Sequence, residues 1–186
     1  MVEALAGRRV CIHVGGGVAA FKAASLITDL RRGGAEVRVV MTPNATRFIT
    51  PLTLQGLSGH TVITDLWGGD VGTGPGAGPV TGPEDAGDGM PHLSLSGWCD
   101  VQVVIAATAN LIARLAHGFS DDAVTTTALA CRAPMLIAPA METSMWEHPA
   151  TQANVAILSG RGVTMVGPVE GRQASGRLGS GRMAEV

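Results

Sequence analysis

Short apolar runs alternate with segments of helical periodicity along most of the chain. Residues 9–14 and 37–41 form predicted strands, and the helical spacing from 18 to 30 between them completes a strand–helix–strand unit. The crossover of such a unit is expected to be right-handed. The alternation continues with predicted strands over 61–67, 101–106, 134–138 and 163–166, and with predicted helices over 111–117, 122–130 and 149–158. The pattern predicts an α/β fold with a doubly wound parallel sheet.

The composition indicates one domain with an aliphatic core. The chain has 186 residues, of which 46% are hydrophobic but only 3% are aromatic, and none is tyrosine. The core must therefore consist of Val, Ile, Leu, Ala and Met, which suits a parallel sheet covered by helices. We expect a single domain over residues 1–186.

The charge pattern excludes several classes of partner. The net charge is −2, without a block of like charges, so neither a nucleic acid nor a membrane is expected to bind. No apolar run reaches the length of a membrane span and no signal-peptide pattern opens the chain, so we expect a cytoplasmic protein. Cys11, Cys99 and Cys131 lack metal-type spacing. We expect reduced thiols without a catalytic role, and no metal site.

Two segments carry little that could be buried. Residues 68–89 contain nine glycines and three prolines, which predicts a flexible loop. This loop is either a lid over a site or a tolerated insertion, and the insertion is favoured. Beyond Pro168 the chain is rich in glycine and arginine, so it is either a flexible end or a segment that orders on an acidic ligand.

Three predicted strands end in small-residue turns. Gly15, Gly16 and Gly17 follow the first strand, and this spacing favours a mononucleotide over a dinucleotide because it lacks the G-x-G-x-x-G pattern. A tight turn without a ligand would also require glycine. Because ligands of doubly wound sheets bind at the carboxyl ends of the strands, the turns at Gly15, Thr108 and Ala140 are expected to converge on one crevice.

The turn over residues 139–146 has an unusual composition. Met141, Met145 and Trp146 stand beside the lone carboxyl group of Glu142, so the turn either lines a site or covers the end of the core. His92, which follows the glycine-rich loop, could act as a base or an electrostatic anchor, or it could be structural. No Ser-His-Asp, HExxH, Walker or CxxC pattern is present. The residues alone indicate a mononucleotide-binding domain without an assigned reaction.

Several separated motifs, in order, resemble the homo-oligomeric flavin-containing cysteine decarboxylases, whose fold is Rossmann-like (flavodoxin-like). Residues 15–22 and 40–48 resemble the two flavin-binding turns of that family. Residues 106–110 resemble its PASANT motif with Ala106 in place of proline, and residues 139–146 resemble PxMNxxMW. The tail, from 171 to 183, is similar to the family's glycine-rich substrate clamp.

The resemblance implies FMN, or FAD in some members, bound between the subunits of a trimer that can assemble into a dodecamer. It implies His92 and Glu142 as catalytic residues. The implied flavin-binding residues are Gly15, Gly16, Gly17, Val18, Thr42, Phe48, Ala107, Thr108, Asn110 and Met141. The implied substrate-binding residues are Glu142, Met145, Trp146, Ser175 and Arg177.

Two departures from the family pattern affect the expected reaction. Glu142 replaces the asparagine that bonds the substrate carboxylate, so we expect either a protonated, buried Glu142 or carboxylate binding by an arginine of the tail. Ser175 replaces the cysteine that helps coenzyme A pathway enzymes return electrons to the enethiol, and serine has no thiol redox chemistry.

The favoured reaction is therefore oxidative decarboxylation of the C-terminal cysteine of a ribosomal precursor peptide. The aminoenethiolate product would lead to an aminovinyl-cysteine ring. The alternatives are a phosphopantothenoylcysteine decarboxylase of coenzyme A biosynthesis and an inactive flavoprotein that serves as a regulatory subunit.

Overall fold

Five parallel strands form the central sheet of the protein. The computed structural model describes residues 5–66 and 91–186, with the side chains of 91–93 outside that description. The strands are β1 (Arg9–Val14), β2 (Glu36–Met41), β3 (Val101–Ala107), β4 (Met135–Pro139) and β5 (Thr164–Met165). Their order across the sheet is β2-β1-β3-β4-β5. This is the flavodoxin-like order, whose switch point lies between β1 and β3.

Seven helices connect or flank the strands in the described parts of the chain. They are α1 (Lys22–Arg32), α2 (Pro51–Ser58), α3 (Pro91–Trp98), α4 (Ala109–His117), α5 (Ala123–Ala130), α6 (Thr143–Trp146) and α7 (Pro149–Gly160). Short 3-10 turns precede α1 and α2, at Val18–Phe21 and Ala45–Arg47. Three of these helices begin with a proline, at Pro51, Pro91 and Pro149, where the missing N–H leaves no helical bond unmade.

Apolar side chains cover both faces of the sheet. Alternate residues of β1 point to opposite faces, so Ile12 belongs to a first core under α1 and α2 while Cys11 belongs to a second core. The second core includes Val104 of β3 and Leu111 of α4. The absence of a polar face explains why the strands appear in the sequence as continuous apolar runs. The predicted doubly wound α/β fold is confirmed.

Some predicted elements are shorter in the structure. The strand expected over 61–67 is reduced to one bridge, in which Ile63 pairs with Val40 beside β2. The strand expected over 163–166 contains only Thr164–Met165. The predicted loop 68–89 lies outside the described residues. Among the described residues, no helix is long and apolar enough to cross a membrane.

The tail forms an antiparallel hairpin, which the glycine-rich composition did not predict. Its strands are β6 (Val169–Arg172) and β7 (Leu178–Arg182). Past β7, Met183 is only 2% exposed and joins the first core. The ammonium of Lys22 donates to the carbonyl oxygen of Ala184 at 3.4 Å and pairs with Glu185 at 3.0 Å. The tail is therefore anchored on α1 rather than free.

Candidate active site

The glycine turn after β1 lies against the neighbouring strand ends at very short range. A Cβ atom on Gly15 would lie 2.3 Å from the carbonyl oxygen of Ala106, and one on Gly16 would lie 2.4 Å from Cβ of Asn44. Both positions therefore exclude any side chain. A Cβ on Gly17 would lie 3.4 Å from Thr108, an ordinary contact. The requirement for glycine in this turn thus comes from the packing of Gly15 and Gly16.

The end of β3 is irregular next to this turn. The β3–β4 register shifts between Val104 and Ala107. Ala106 has φ of +53°, the only non-glycine residue with positive φ among the described parts of the chain. Proline, with φ fixed near −65°, cannot adopt this conformation. The alanine at the position where the resembled motif has proline is thus consistent with the backbone found here.

Helix α4 begins directly after this strand end. The hydroxyl of Thr108 caps the helix by accepting the backbone N–H of Leu111 at 3.2 Å. Asn110 lies in the first turn of the same helix. The capping side chain and the exposed first turn place polar groups at the carboxyl edge of the sheet.

Thr42 directly follows β2 at the same edge. Its hydroxyl accepts the backbone N–H of Ala45 at 3.1 Å and so fixes the turn that carries Asn44. Together the strand ends enclose a crevice of about 490 Å³. Its lining residues are Gly16, Thr42, Pro43, Asn44, Thr108, Asn110, Leu111, Arg114, Asp121 and Asp122. The structure therefore brings Gly16, Thr42, Thr108 and Asn110 together at one crevice. Ala140, whose turn was also expected to converge there, does not line it.

An ion-pair cluster forms one wall of the crevice. Arg114 pairs with Asp122 at 2.7 Å and also with Asp121. Asp122, 8% exposed, accepts the backbone N–H of Thr125 at 2.8 Å as the N-cap of α5. The hydrogen bond from Arg114 lowers the pKa of Asp121. The seven-residue separation of Arg114 and Asp121 crosses a helix boundary and could not be read as a helical pair.

The loop after β4, residues 140–146, is called the motif loop, and it is held by the tail hairpin. The backbone N–H of Met141 donates to the carbonyl oxygen of Gly181 at 3.0 Å. The hydroxyl of Thr143 donates to the carbonyl oxygen of Ser180 at 2.7 Å, and the amide of Gln173 donates to that same oxygen at 2.7 Å. The motif loop and the clamp-like tail are therefore one hydrogen-bonded unit.

Glu142 occupies the start of α6. Its carboxylate accepts the backbone N–H of Ser144 at 2.7 Å and also the Ser144 hydroxyl. These hydrogen bonds, with the charge of Arg177 adding to them, lower the pKa of Glu142. The side chain is 32% exposed. The expectation that burial protonates Glu142 is therefore wrong, because the carboxylate is partly exposed and its hydrogen bonds favour the charged form.

The remaining predicted residues lie around these features. Met141 packs against the second core, whereas Met145 is 47% exposed and Trp146 is half-buried, so the loop only partly covers the core. Ala107 is buried at the end of β3. Val18 and Phe48 are both about half exposed. His92 is the second residue of α3, and its side chain lies outside the described part of the structure.

Ser175 and Arg177 lie in the exposed turn between β6 and β7. Arg177 extends back to the motif loop, with its guanidinium Nη1 3.9 Å from Oε1 of Glu142. Neither residue lines the crevice in the single chain. The hairpin nevertheless brings an arginine of the tail to the position where the family pattern has an amide.

Comparison with known proteins places the chain in one family. The Flavoprotein family matches residues 2–186. The coenzyme A biosynthesis bifunctional protein CoaBC of Vibrio vulnificus is 42% identical over 184 residues, 99% of this chain. The chain spans 42% of that protein, about two fifths of its length.

Solved structures give the same result. The FMN-dependent cysteine decarboxylase SpaF is 34% identical with a TM-score of 0.75, over 95% of this chain and 92% of SpaF. A cysteine-to-serine mutant of a PPC decarboxylase, complexed with pantothenoylaminoethenethiol, is 32% identical with a TM-score of 0.79 over 96% of this chain and 92% of that one. With a family match across nearly all of its residues, the chain belongs to the Flavoprotein family.

Proposed function

We propose that the protein decarboxylates a cysteine that bears a free carboxylate, with phosphopantothenoylcysteine as the substrate. The observation that carries this proposal is the position of Arg177. The tail hairpin brings this cation to the motif loop that follows β4, at the edge of the sheet where the crevice opens. A carboxylate substrate bound there would meet a guanidinium, the side chain best suited to carboxylate recognition.

FMN is the cofactor of this protein, and the described residues fit it. The crevice of about 490 Å³ is within the size range of cofactor sites. The turn at Gly15 and Gly16 lets the backbone approach a bound group without any intervening side chain. FMN supplies the two-electron chemistry of such a reaction. We propose that Thr42, Thr108 and Asn110, which line the crevice, hold it through their polar side chains.

The residues of the chain would then orient the substrate. Arg177 attracts the substrate carboxylate, and the ionised Glu142 keeps the guanidinium at the loop. The hydrogen bonds that Ser144 donates to Glu142 restrict the rotation of that carboxylate. We assign His92 as the base or anchor for the cysteine, on the strength of its position in the family resemblance. Met145 and Trp146 are proposed to contact the remainder of the substrate.

Similarity supports the small coenzyme A precursor over a peptide as substrate. The CoaBC proteins are 40–42% identical across 97–99% of this chain, a closer similarity than the 34% to SpaF. A peptidyl cysteine, the substrate that the sequence motifs favoured, is therefore the second candidate. Because this chain spans only two fifths of CoaBC, we propose for it the decarboxylation step alone and no other activity of CoaBC.

Ser175 is the observation that favours the peptide candidate. It stands where the clamp of coenzyme A enzymes carries a cysteine, and serine cannot relay electrons. The PPC decarboxylase mutant that resembles this chain has serine in place of a cysteine and holds an enethiol. A protein with Ser175 is therefore expected to release an enethiol, the oxidised product that peptide-modifying members of the family make.

We also propose that the protein works as a homo-oligomer whose basic unit is a trimer. Val18, Phe21, Phe48 and Leu52 are 51–74% exposed and belong to the turns and helix starts on the glycine-turn side of the sheet. Such a group of large apolar side chains is more typical of an interface than of a monomer surface. Sedimentation of the FMN-bound protein tests this assembly.

The deciding experiment gives the FMN-bound protein phosphopantothenoylcysteine in one reaction and a peptide that ends in cysteine in another. Turnover of phosphopantothenoylcysteine with a product that has lost CO₂ supports the proposal. Turnover of the peptide alone overturns it in favour of the second candidate. If neither substrate reacts while FMN stays bound, the decarboxylase proposal fails and the inactive flavoprotein remains.

The product mass also tests the role of Ser175. We expect the wild-type protein to give a product that has lost CO₂ and two hydrogens. The Ser175→Cys variant should give a product that has lost CO₂ alone. Ser159→Cys, a change to an exposed serine near the end of α7, is the matched control and should give the wild-type product. A wild-type product that has lost only CO₂ would show that Ser175 does not decide the outcome.

A further inference from the structure

Three cysteines from distant parts of the sequence meet beside the second core. Cys99 directly follows α3, Cys131 directly follows α5, and Cys11 lies on β1. The Sγ atoms of Cys99 and Cys131 are 3.2 Å apart, and Cys11 lies near enough to Cys99 to affect its pKa. Helices α3 and α5 pack side by side, so their ends bring the two cysteines together.

This cluster lies at the opposite edge of the sheet from the FMN crevice. Cys99 and Cys131 precede β3 and β4, whereas the crevice follows the ends of β1, β2 and β3. None of the three cysteines lines the crevice. Among residues 5–66 and 91–186, no group of His, Cys, Asp or Glu has an arrangement that could hold a metal ion. The thiols are thus available for chemistry of their own.

The surroundings give the two partly exposed thiols, Cys99 and Cys131, different pKa values. Hydrogen bonds from Cys11 and then from Cys131 lower the pKa of Cys99 to about 6, so its sulfur is a thiolate at neutral pH. Burial raises the pKa of Cys131 to about 11. Cys11 is completely buried and the bond to Cys99 raises its pKa, so it stays protonated and acts as a donor. One nucleophilic sulfur therefore faces one protonated partner.

The backbone on both sides of the pair is fixed. Asp100 exchanges two hydrogen bonds with the backbone of Arg9, at 2.8 and 2.9 Å, and pairs with its guanidinium at 2.8 Å. The N–H of Cys131 donates to Thr127 in the last turn of α5 at 3.0 Å. Joining the sulfurs requires them to approach by about 1 Å, to the usual length of a disulfide.

We propose that Cys99 and Cys131 form a peroxide-sensitive pair that closes to a disulfide, with Cys11 as a positioning residue. In the first step the Cys99 thiolate attacks hydrogen peroxide, the O–O bond breaks, and a sulfenic acid and, after uptake of one proton, water are formed. In the second step the Cys131 sulfur attacks the sulfenic sulfur. The S–O bond breaks, and hydroxide leaves with the Cys131 proton as water. Two electrons pass from the sulfurs to one peroxide.

The test treats the FMN-bound protein with one equivalent of hydrogen peroxide and then alkylates all thiols with N-ethylmaleimide in denaturant. The sequence has three cysteines, so the reduced protein should take up three maleimides. The oxidised protein should take up one, and peptide mapping should place the disulfide between Cys99 and Cys131. Three maleimides after oxidation, or a disulfide between two chains, would overturn the proposal.

Variants separate the roles of the three thiols. Cys131→Ser should stop at the sulfenic acid, which dimedone traps on Cys99, and the absence of that adduct would contradict the assignment. Cys11→Ala should slow oxidation at pH 7 on the order of tenfold, since an ordinary thiol is only a few per cent ionised there. In the wild type, the rate of Cys99 alkylation by iodoacetamide should reach half its maximum near pH 6. An unchanged rate in Cys11→Ala would remove that residue from the mechanism.

Discussion

Arg177 lies 3.9 Å from the carboxylate of Glu142, so the tail hairpin and the motif loop meet through opposite charges. The guanidinium itself is 79% exposed and remains open to a further anion. A carboxylate in place of the family's amide would repel a substrate carboxylate if it stood alone. Here its negative charge is paired, and we propose that the arginine of the pair binds the substrate carboxylate.

Replacing Arg177 with glutamine should weaken binding of the substrate carboxylate. Loss of one charge-assisted contact is expected to raise KM about tenfold, equivalent to about 1.4 kcal/mol, with a smaller change in kcat. Steady-state kinetics with phosphopantothenoylcysteine measure this effect. Arg172→Gln, on β6 of the same hairpin, removes an equal charge without a Glu142 contact and should leave KM near the wild-type value. Equal effects of the two variants would show that the hairpin acts only through its overall charge.

The charge state of Glu142 makes a distinct prediction about pH. Its pKa is lowered, so the group is ionised throughout the range from pH 6 to 8 and cannot cause a change in rate there. The wild type and Glu142→Gln should therefore show pH–rate profiles of the same shape over that range, even if their absolute rates differ. A titration step that is present in the wild type and absent in Glu142→Gln would restore the idea of a protonated carboxyl group.

Two adjacent glycines should respond differently to the same substitution. Gly16→Ala places Cβ 2.4 Å from Asn44, so the turn must shift, at a cost of about 1–3 kcal/mol in the free energy of unfolding. Gly17→Ala meets Thr108 at 3.4 Å and should change stability by less than about 0.5 kcal/mol. Urea unfolding measures both variants, and flavin absorbance measures the FMN they retain. A Gly17→Ala variant as unstable as Gly16→Ala would contradict the packing argument.

Much of the sheet could be predicted because its strands are buried on both faces. Val10, Ile12 and Val14 alternate with Cys11 and His13, and all five are nearly or fully buried, so the run lacks the alternating exposed polar positions of a half-buried strand. The strand-end turns could be placed for the same reason, since a strand that is recognised also fixes its carboxyl end.

The hairpin could not be predicted, because its formation depends on distant contacts. A side chain at Gly179 would lie 2.3 Å from the hydroxyl of Thr143, and one at Gly181 would lie 2.5 Å from the carbonyl oxygen of Met141. The glycines are therefore needed for close packing on the motif loop, although in sequence they resemble a flexible tail. The charge state of Glu142 escaped prediction likewise, because its exposure is set by how the loop and hairpin meet.

The acidic pair at the crevice wall should separate into one structural and one dispensable residue. Asp122→Ala removes the cap of α5 and leaves Arg114 without its buried partner, so the free energy of unfolding should fall by about 2–4 kcal/mol. The side chain of Asp121, the other partner of Arg114, is 61% exposed. Asp121→Ala should therefore change the unfolding midpoint little. Thermal unfolding of both variants at pH 7 tests the difference. Comparable losses would mean that Arg114 depends on the exposed carboxylate as much as on the buried one.

His13 should make the protein sensitive to acid well above the range where carboxylates titrate. The imidazole is fully buried on β1, with its Nε2 3.1 Å from Oε1 of Gln102, and its Nδ1 has no hydrogen-bond partner in the structure. Burial lowers its pKa to about 4, whereas the unfolded chain should titrate near the usual value of about 6.5. Between these values the unfolded chain binds more protons, so acid favours unfolding.

The stability contributed by neutral His13 is therefore complete above pH 6.5 and falls as the pH drops towards 4, by about 3 kcal/mol in total. Urea unfolding of the wild type at several pH values in this range should show the decline. His13→Gln keeps a neutral amide that can donate to Gln102, and its stability should vary less with pH than that of the wild type. His117→Gln changes an exposed histidine that contacts Asn154, and it should follow the wild-type curve. A His13→Gln curve parallel to that of the wild type would mean that other groups cause the acid sensitivity.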